Sequence, residues 1–131
     1  MSPAGALQVL ADQLREEDTP IAEHVIDPVA ADESGLGEEY AVVFEAVREG
    51  YLLHYGEPRL MAGHDADLGL LAGDYMYALG LDRLAAMGDT ESVAVLSELI
   101  GRCAQLHAEG RDGEVEGLWE AAARRLAEIQ G

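Results

Sequence analysis

Lysine is absent from the sequence, and all eight basic residues are arginines. Against them stand 26 acidic residues, so the formal net charge at pH 7 is -18. A field this negative repels the phosphates of nucleic acids and the surfaces of anionic membranes. We therefore predict that the protein does not bind nucleic acid, and that the charge serves mainly to keep a small protein in solution.

Cysteine is nearly absent as well, since the only one is Cys103. It cannot form an intramolecular disulfide, and its apolar neighbours on a predicted helix indicate a buried, inert thiol. The first residues lack the basic start and apolar run of a signal peptide. The longest nearly apolar run, at residues 68–81, contains Asp74 and is too short to span a bilayer. These absences predict a cytoplasmic protein with no membrane span.

What the sequence does contain is apolar periodicity of the helical kind. The chain has 131 residues, of which 49% are hydrophobic, and these values suit one domain with a real core. No stretch alternates with a period of two, so no strand is predicted. The fold class is therefore all-α, an antiparallel bundle of five helices in one domain, residues 1–131. The helices are expected from Ser2-Pro3 to about residue 15, at about 38–55, 65–87 and 91–108, and after Gly113.

Two of these segments have unusual compositions. Residues 16–37 form a long acidic loop, because prolines, glycines and carboxylates interrupt every period there, with one short turn near residues 21–25. The third helix is apolar nearly all round, which is typical of the central, buried helix of a bundle.

Three glycines lie on nearly one side of that third helix, Gly69, Gly73 and Gly80. Glycine costs about 1 kcal/mol of helix propensity, so these positions predict close packing, either against the second helix or against a partner subunit. With Tyr77 they are the predicted interaction residues. Leucine at position 73 should overpack this contact, whereas alanine should be tolerated where there is room.

The most ligand-like residues flank the start of the same helix. Asp65, Asp67 and Asp74 are the candidate metal ligands, because hard cations such as magnesium prefer converging carboxylates. Asp67 and Asp74 share a helix face but lie about 10.5 Å apart along the axis, too far to bind one ion. The competing interpretation is that Asp65 and Asp67 cap and charge a helix start, and that a buried Asp74 pairs with an arginine or a tyrosine. No catalytic residue and no cofactor is predicted.

One stretch resembles a known family. Residues 70–79 read LLAGDYMYAL, which is similar to the "LAGDYL-A-A" helix of trans-type polyprenyl diphosphate synthases. The likeness continues through residues 84–89 and into the helix that ends at Ala108-Glu109-Gly110. It is strongest to component 1 of the two-subunit heptaprenyl diphosphate synthases. The resemblance implies part of the isoprenoid synthase fold and a helper subunit that shapes the chain-length cavity of a catalytic partner.

The sequence also departs from the catalytic members of that family. These carry a D-D-x-x-D motif upstream of this helix, whereas residues 38–56 contain no aspartate. The second Asp-rich motif is missing too. Our leading hypothesis is therefore a non-catalytic subunit that works with a protein partner or as a homo-oligomer. The alternatives are a helical interaction or regulatory module unrelated to prenyl chemistry, and a small magnesium-dependent diphosphate enzyme.

Overall fold

A computed structural model shows five α-helices in the described part of the chain, joined by loops and two short 3₁₀ turns. The structure describes residues 5–29 and 34–131, so the predicted helix start at Ser2-Pro3 lies outside the described residues. The helices are α1 (Gly5–Glu16), α2 (Glu38–Tyr55), α3 (Ala66–Ala86), α4 (Thr90–Ala108) and α5 (Val115–Gln130). Within the described ranges there is no strand, and the all-α prediction is confirmed.

The central helix is α2, which packs against α1, α3 and α5, while α4 packs against α3 and α5. All residues from 41 to 47 are buried, including Glu45. The expectation that α3 is the central helix is therefore wrong. Its inner face is buried, but Leu70 and Leu71 point to solvent. The buried carboxylates of α2, Glu45 and Glu49, pair with Arg59 of the loop that follows the helix.

The core has two main clusters that both include residues of α2. In the first, Leu7, Leu10 and Leu14 of α1 pack with Ala46 of α2 and Met76 of α3. In the second, residues of α2, α4 and α5 pack around Trp119, whose ring meets the Phe44 ring edge-on at a centroid distance of 5.6 Å. Burying such aromatic rings contributes much of the hydrophobic stabilisation of a small domain.

The predicted acidic loop is present after α1, although Glu16 itself belongs to that helix. One short 3₁₀ turn occurs at Ala22–His24, and an isolated antiparallel bridge joins Val25 to Met61. Residues 30–33 of the predicted loop lie outside the described residues. The bridge ties this loop to the segment between α2 and α3.

The turn between α3 and α4 follows its sequence closely. Gly88 has a φ of +75°, a left-handed conformation that glycine adopts without a steric penalty. Asp89 then caps α4, because its Oδ1 accepts a hydrogen bond of 3.0 Å from the backbone N–H of Ser92. Asp89 also accepts a hydrogen bond from the hydroxyl of Tyr40, which ties the turn to the start of α2.

The helices of the described ranges do not reach the length and apolar character that a membrane crossing requires.

Candidate functional site

The first two candidate metal ligands lie at the start of α3. Asp65 is the N-cap of the helix, and its Oδ1 accepts a hydrogen bond of 2.8 Å from the backbone N–H of Leu68. Asp67 is exposed in the first turn, where the helix dipole stabilises a negative charge. The geometry of Asp65 is thus that of the capping interpretation.

Asp74 differs from the expectation of a buried carboxylate with an arginine or tyrosine partner. Its side chain is 72% exposed, and its neighbour is His54, with 3.1 Å between Asp74 Oδ1 and His54 Nε2. The angles at this contact are not those of a hydrogen bond, so the ring nitrogen has no hydrogen-bond partner among the described residues. Within the same residues, no three His, Cys, Asp or Glu side chains are placed to hold one metal ion.

The glycines of α3 meet two different neighbours. Gly73 and Gly80 lie against α2, since an added Cβ would come within 3.1 Å of the carbonyl oxygens of Gly50 and Val43, respectively. An added Cβ at Gly69 would instead meet the His64 ring, at 3.2 Å. The closest approach of the two helices is therefore internal and centred on Gly73.

Alanine at position 73 does not have the room that the sequence had suggested. A Cβ there would lie 2.1 Å from Cδ2 of His54, far inside van der Waals contact. The counterpart of Gly73 on α2 is Gly50, where a Cβ would lie 2.7 Å from the Tyr77 ring. Sequence reasoning missed Gly50, although a glycine in the middle of a helix was the available signal.

Imidazole and tyrosine rings gather where α2 passes α3 and α4. His54 stacks on Tyr77 at a centroid distance of 5.4 Å, and Tyr55 stacks on His107 at 4.1 Å. The Tyr51 hydroxyl shares a hydrogen bond of 2.7 Å with Nε2 of His107.

Burial raises the pKa of both Tyr51 and Tyr77 above the usual value for a phenol. The two hydroxyls therefore stay neutral near pH 7. The predicted interaction residue Tyr77 serves here as a packing residue over Gly50.

Cys103 lies in the same region of the core and is almost completely buried. Burial raises the pKa of its thiol to about 11, so the thiolate is scarce near neutral pH. This environment agrees with the expected inert thiol.

A buried network of charges holds the segment between α2 and α3 and was not anticipated from the sequence. Glu49, 1% exposed, accepts hydrogen bonds from the backbone N–H groups of Arg59 and Leu60, at 2.7 and 2.9 Å. The Arg59 guanidinium contacts Glu49 at 2.9 Å and Glu45 at 3.1 Å. Burial alone would lower the pKa of Arg59, but the two carboxylates outweigh it and raise that pKa. The Arg59 guanidinium therefore keeps its positive charge in the interior.

Beside this network lies a cleft of about 770 Å³ between α2 and α5. Its walls carry charges of both signs, among them Arg48, which pairs with Glu116 at 3.2 Å and covers the Trp119 ring. A cleft of this size could hold a small molecule. The lining mixes arginines and glutamates, and two of the arginines, Arg48 and Arg59, pair with glutamates of the same cleft, so no single ligand chemistry is favoured there.

The outer face of α3 is the most apolar exposed part of a described helix. Leu70 is 51% exposed and Leu71 is 67% exposed. Asp67 and Asp74 lie four residues before and three residues after Leu71, so they share its side of the helix. We call these four residues the α3 outer face. Contiguous exposed apolar patches are typical of surfaces for protein association, and the adjoining Leu70 and Leu71 make this face the candidate for one.

Comparisons with known proteins add no support to the resemblance of residues 70–79 to the polyprenyl synthases. Neither a family model, nor a curated protein, nor a solved structure matches the chain. The contacts and exposures of the described residues therefore carry the functional argument, together with the likeness of residues 70–79.

Proposed function

We propose that the protein is a non-catalytic helical subunit that binds a catalytic trans-type polyprenyl diphosphate synthase through the α3 outer face. The observation that carries this proposal is the exposure of Leu70 and Leu71. Both leucines belong to the stretch of residues 70–79 that resembles the synthase family. An exposed leucine contributes no hydrophobic stabilisation to the protein on its own. Its burial against a partner contributes a free energy of about 25 cal/mol per Å² of apolar surface removed from water.

The chemistry of the face specifies the partner surface. Asp67 and Asp74 flank Leu71, and both carboxylates are exposed. The complementary surface therefore has an apolar pocket for Leu71 with arginine or lysine at its edges. Such charges fix the orientation of the two proteins and speed their encounter more than they raise affinity.

The chemistry of prenyl transfer assigns the catalytic step to the partner. Magnesium must bridge the allylic diphosphate so that the leaving group can depart. In this chain Asp65 already caps a helix, and Asp67 and Asp74 are separated by about two helical turns. The Asp-rich motifs that bind magnesium in the family are missing from the sequence. Magnesium and the allylic substrate therefore belong to the partner.

The proposal is tested by capturing the partner from the cells that produce the protein. Wild-type chain, Leu71→Asp and Val29→Asp are each tagged, expressed at native level and purified. Val29 is fully exposed and lies outside α3, so its variant is the matched control. The eluates are assayed for magnesium-dependent elongation of an allylic diphosphate, and their proteins are identified by mass spectrometry.

We expect the wild type and Val29→Asp to capture a prenyl synthase with its activity, and Leu71→Asp to lose both. Equal capture by all three proteins would place the contact elsewhere on the molecule. Capture of a partner without elongation activity, lost in Leu71→Asp, would favour the alternative of an interaction module unrelated to prenyl chemistry.

A further inference from the structure

One histidine near the end of α2 connects the α3 outer face with the most exposed tyrosine of the chain. Nε2 of His54 lies 3.1 Å from Oδ1 of Asp74, and the His54 ring stacks on Tyr77 at a centroid distance of 5.4 Å. On its own helix the same ring meets Tyr55, which is 41% exposed, at a centroid distance of 5.9 Å. We call these four residues the His54 site. It continues the α3 outer face onto α2, because Asp74 belongs to both.

The oxygen atoms of the His54 site are available to a ligand. Asp74 is exposed, and no arginine of the described ranges pairs with it. The hydroxyls of Tyr55 and Tyr77 form no hydrogen bond with any described residue. Burial, and after it neighbours that include Tyr55 and Asp74, raise the pKa of Tyr77. Tyr55 and Asp74 therefore both lie within electrostatic range of the Tyr77 hydroxyl.

These groups suit a planar cation. Carboxylate and phenol oxygens accept hydrogen bonds, and the face of a tyrosine ring attracts positive charge. A guanidinium meets both requirements, because it stacks on aromatic rings and donates several N–H groups to a carboxylate. An ammonium group meets them less well, since it is a compact and strongly hydrated point charge. We infer that an arginine of the synthase binds the His54 site, with its guanidinium against the Tyr55 ring and hydrogen-bonded to Asp74.

The source of the arginine follows from the proposed function, on which this inference rests. Asp74 lies on the face that binds the synthase, so a synthase residue at the edge of that contact reaches the His54 site directly. A second copy of this chain is a poor source, because two chains with a net charge of -18 each repel one another. The contact with the synthase thereby extends from α3 onto α2.

The tyrosine that receives the arginine is already held in place. Tyr55 stacks on His107 at a centroid distance of 4.1 Å, and His107 shares a hydrogen bond of 2.7 Å with the Tyr51 hydroxyl. A side chain that is fixed before binding loses little conformational freedom on association. Tyrosine and arginine are also the residue types that contribute most to the binding energy of interfaces. Tyr55 therefore has the properties of an anchor for a partner.

The affinity of the synthase, separated from the captured complex, for variants of the chain tests this contact. Asp74→Asn removes the charge of the site and keeps the shape of the side chain, whereas Tyr55→Ala removes the ring. Asp82→Asn is the matched control, because Asp82 is an exposed aspartate of α3 outside the site. Binding is measured by isothermal titration calorimetry at 0.15 M salt. If Tyr55→Ala melts below the wild type, Tyr55→Leu replaces it, since leucine still covers the His107 ring.

We expect Asp74→Asn to raise the Kd about tenfold or more, because it removes a charged hydrogen bond. Tyr55→Ala should raise the Kd about two- to fivefold, the effect of losing an exposed cation–π contact. Asp82→Asn should bind within about twofold of the wild type. Wild-type affinity in either site variant would overturn the inference. Equal weakening by Asp74→Asn and Asp82→Asn would overturn it too, by showing an effect of overall charge.

A photo-cross-link identifies the group that the site receives. The photoreactive amino acid p-benzoylphenylalanine is placed at position 55, and at position 82 as the control. We expect irradiation of the complex to join position 55, and not position 82, to a synthase peptide that contains arginine. Lysine in place of that arginine should weaken binding to the wild type but have little further effect on Tyr55→Ala. No cross-link at position 55, or one to a segment without arginine, would contradict the assignment.

Two patterns of binding separate a failure of this inference from a failure of the proposed function. If the wild type captures no elongation activity, the proposed function fails and the inference falls with it. If Leu71→Asp abolishes binding of the synthase while Asp74→Asn and Tyr55→Ala bind as the wild type does, the inference alone fails.

Discussion

At the scale of single residues, the contact between Gly50 and Gly73 sets the distance between α2 and α3. We expect Gly73→Ala to lower the free energy of unfolding by about 1–3 kcal/mol, because its Cβ would displace the His54 ring and lie 3.1 Å from the backbone carbonyl oxygen of Gly50. The measurement is chemical denaturation followed by circular dichroism.

Gly101→Ala is the matched control for this substitution. It lies in the middle of α4 with no atom within 4 Å of the added Cβ. It should stabilise the protein by about 0.5–1 kcal/mol, which is the gain in helix propensity. If Gly73→Ala is equally stabilising, the helices do not approach as closely as described.

Glu49 is the second residue with a disproportionate structural role. We expect Glu49→Ala to destabilise the protein by about 3–5 kcal/mol, since it removes one of the two carboxylates that pair with the partly buried Arg59 charge. It also removes the acceptor of two backbone N–H groups, those of Arg59 and Leu60.

Denaturation of Glu49→Ala and of Glu120→Ala at pH 7 measures this contribution. Glu120 is an exposed glutamate on α5, and its loss should change stability by less than about 0.5 kcal/mol. Similar small effects of both variants would mean that Glu49 is solvated rather than buried.

At the scale of helices, the cap of α4 makes stability depend on pH. Hydrogen bonds from Tyr40 and Ser92 hold the pKa of Asp89 below its ordinary value of 3.8. A lowered folded pKa contributes stability that is present above the unfolded pKa and is lost as the pH falls through the folded pKa. We therefore expect stability to fall below about pH 4, and to fall less steeply in Asp89→Asn, which keeps a capping side chain.

Unfolding free energies measured from pH 7 down to pH 2 test this expectation. The two proteins should differ most at neutral pH and converge in acid. Parallel curves for the wild type and Asp89→Asn would show that Asp89 does not carry this dependence.

Sequence periodicity predicted the helices well, because their ends carry local signals. Tyr55 ends α2 just before Gly56, and Asp65 caps α3, so for α2 to α5 the predicted and the observed ranges agree within about two residues. Local signals did not predict which helix is the central, most buried one. The burial of Glu45 and Glu49 depends on Arg59, which approaches from a loop after α2, and no local pattern encodes that contact.

Some properties of the candidate residues follow from their positions on one helix, whereas others depend on how the helices pack. The close packing at Gly73 and Gly80 follows from their positions on one helix, but the choice between an internal contact and a subunit contact required the fold. The exposure of Leu70, Leu71 and Asp74 could not be predicted from the sequence, because a helix that is apolar on all sides is expected to be buried. The α3 outer face is defined by the leucines of this apolar helix that are exposed rather than buried.

At the scale of the whole molecule, the few positive charges are concentrated at particular contacts. Arg59 pairs with the buried carboxylates of Glu45 and Glu49, and Arg48 covers the Trp119 ring. Acidic residues outnumber the arginines by 26 to 8, so the net charge of the chain is -18. On the surface of the molecule, Leu70 and Leu71 of the α3 outer face are exposed large apolar side chains that adjoin one another.

The central claim is that this chain supports prenyl elongation without performing it. The direct measurement is turnover of an allylic diphosphate with magnesium by the pure chain, by the synthase separated from the captured complex, and by the two recombined. We expect no turnover by the chain alone, and a changed rate or product length when it is added to the synthase. Turnover by the pure chain, abolished by Asp67→Ala, would contradict the claim.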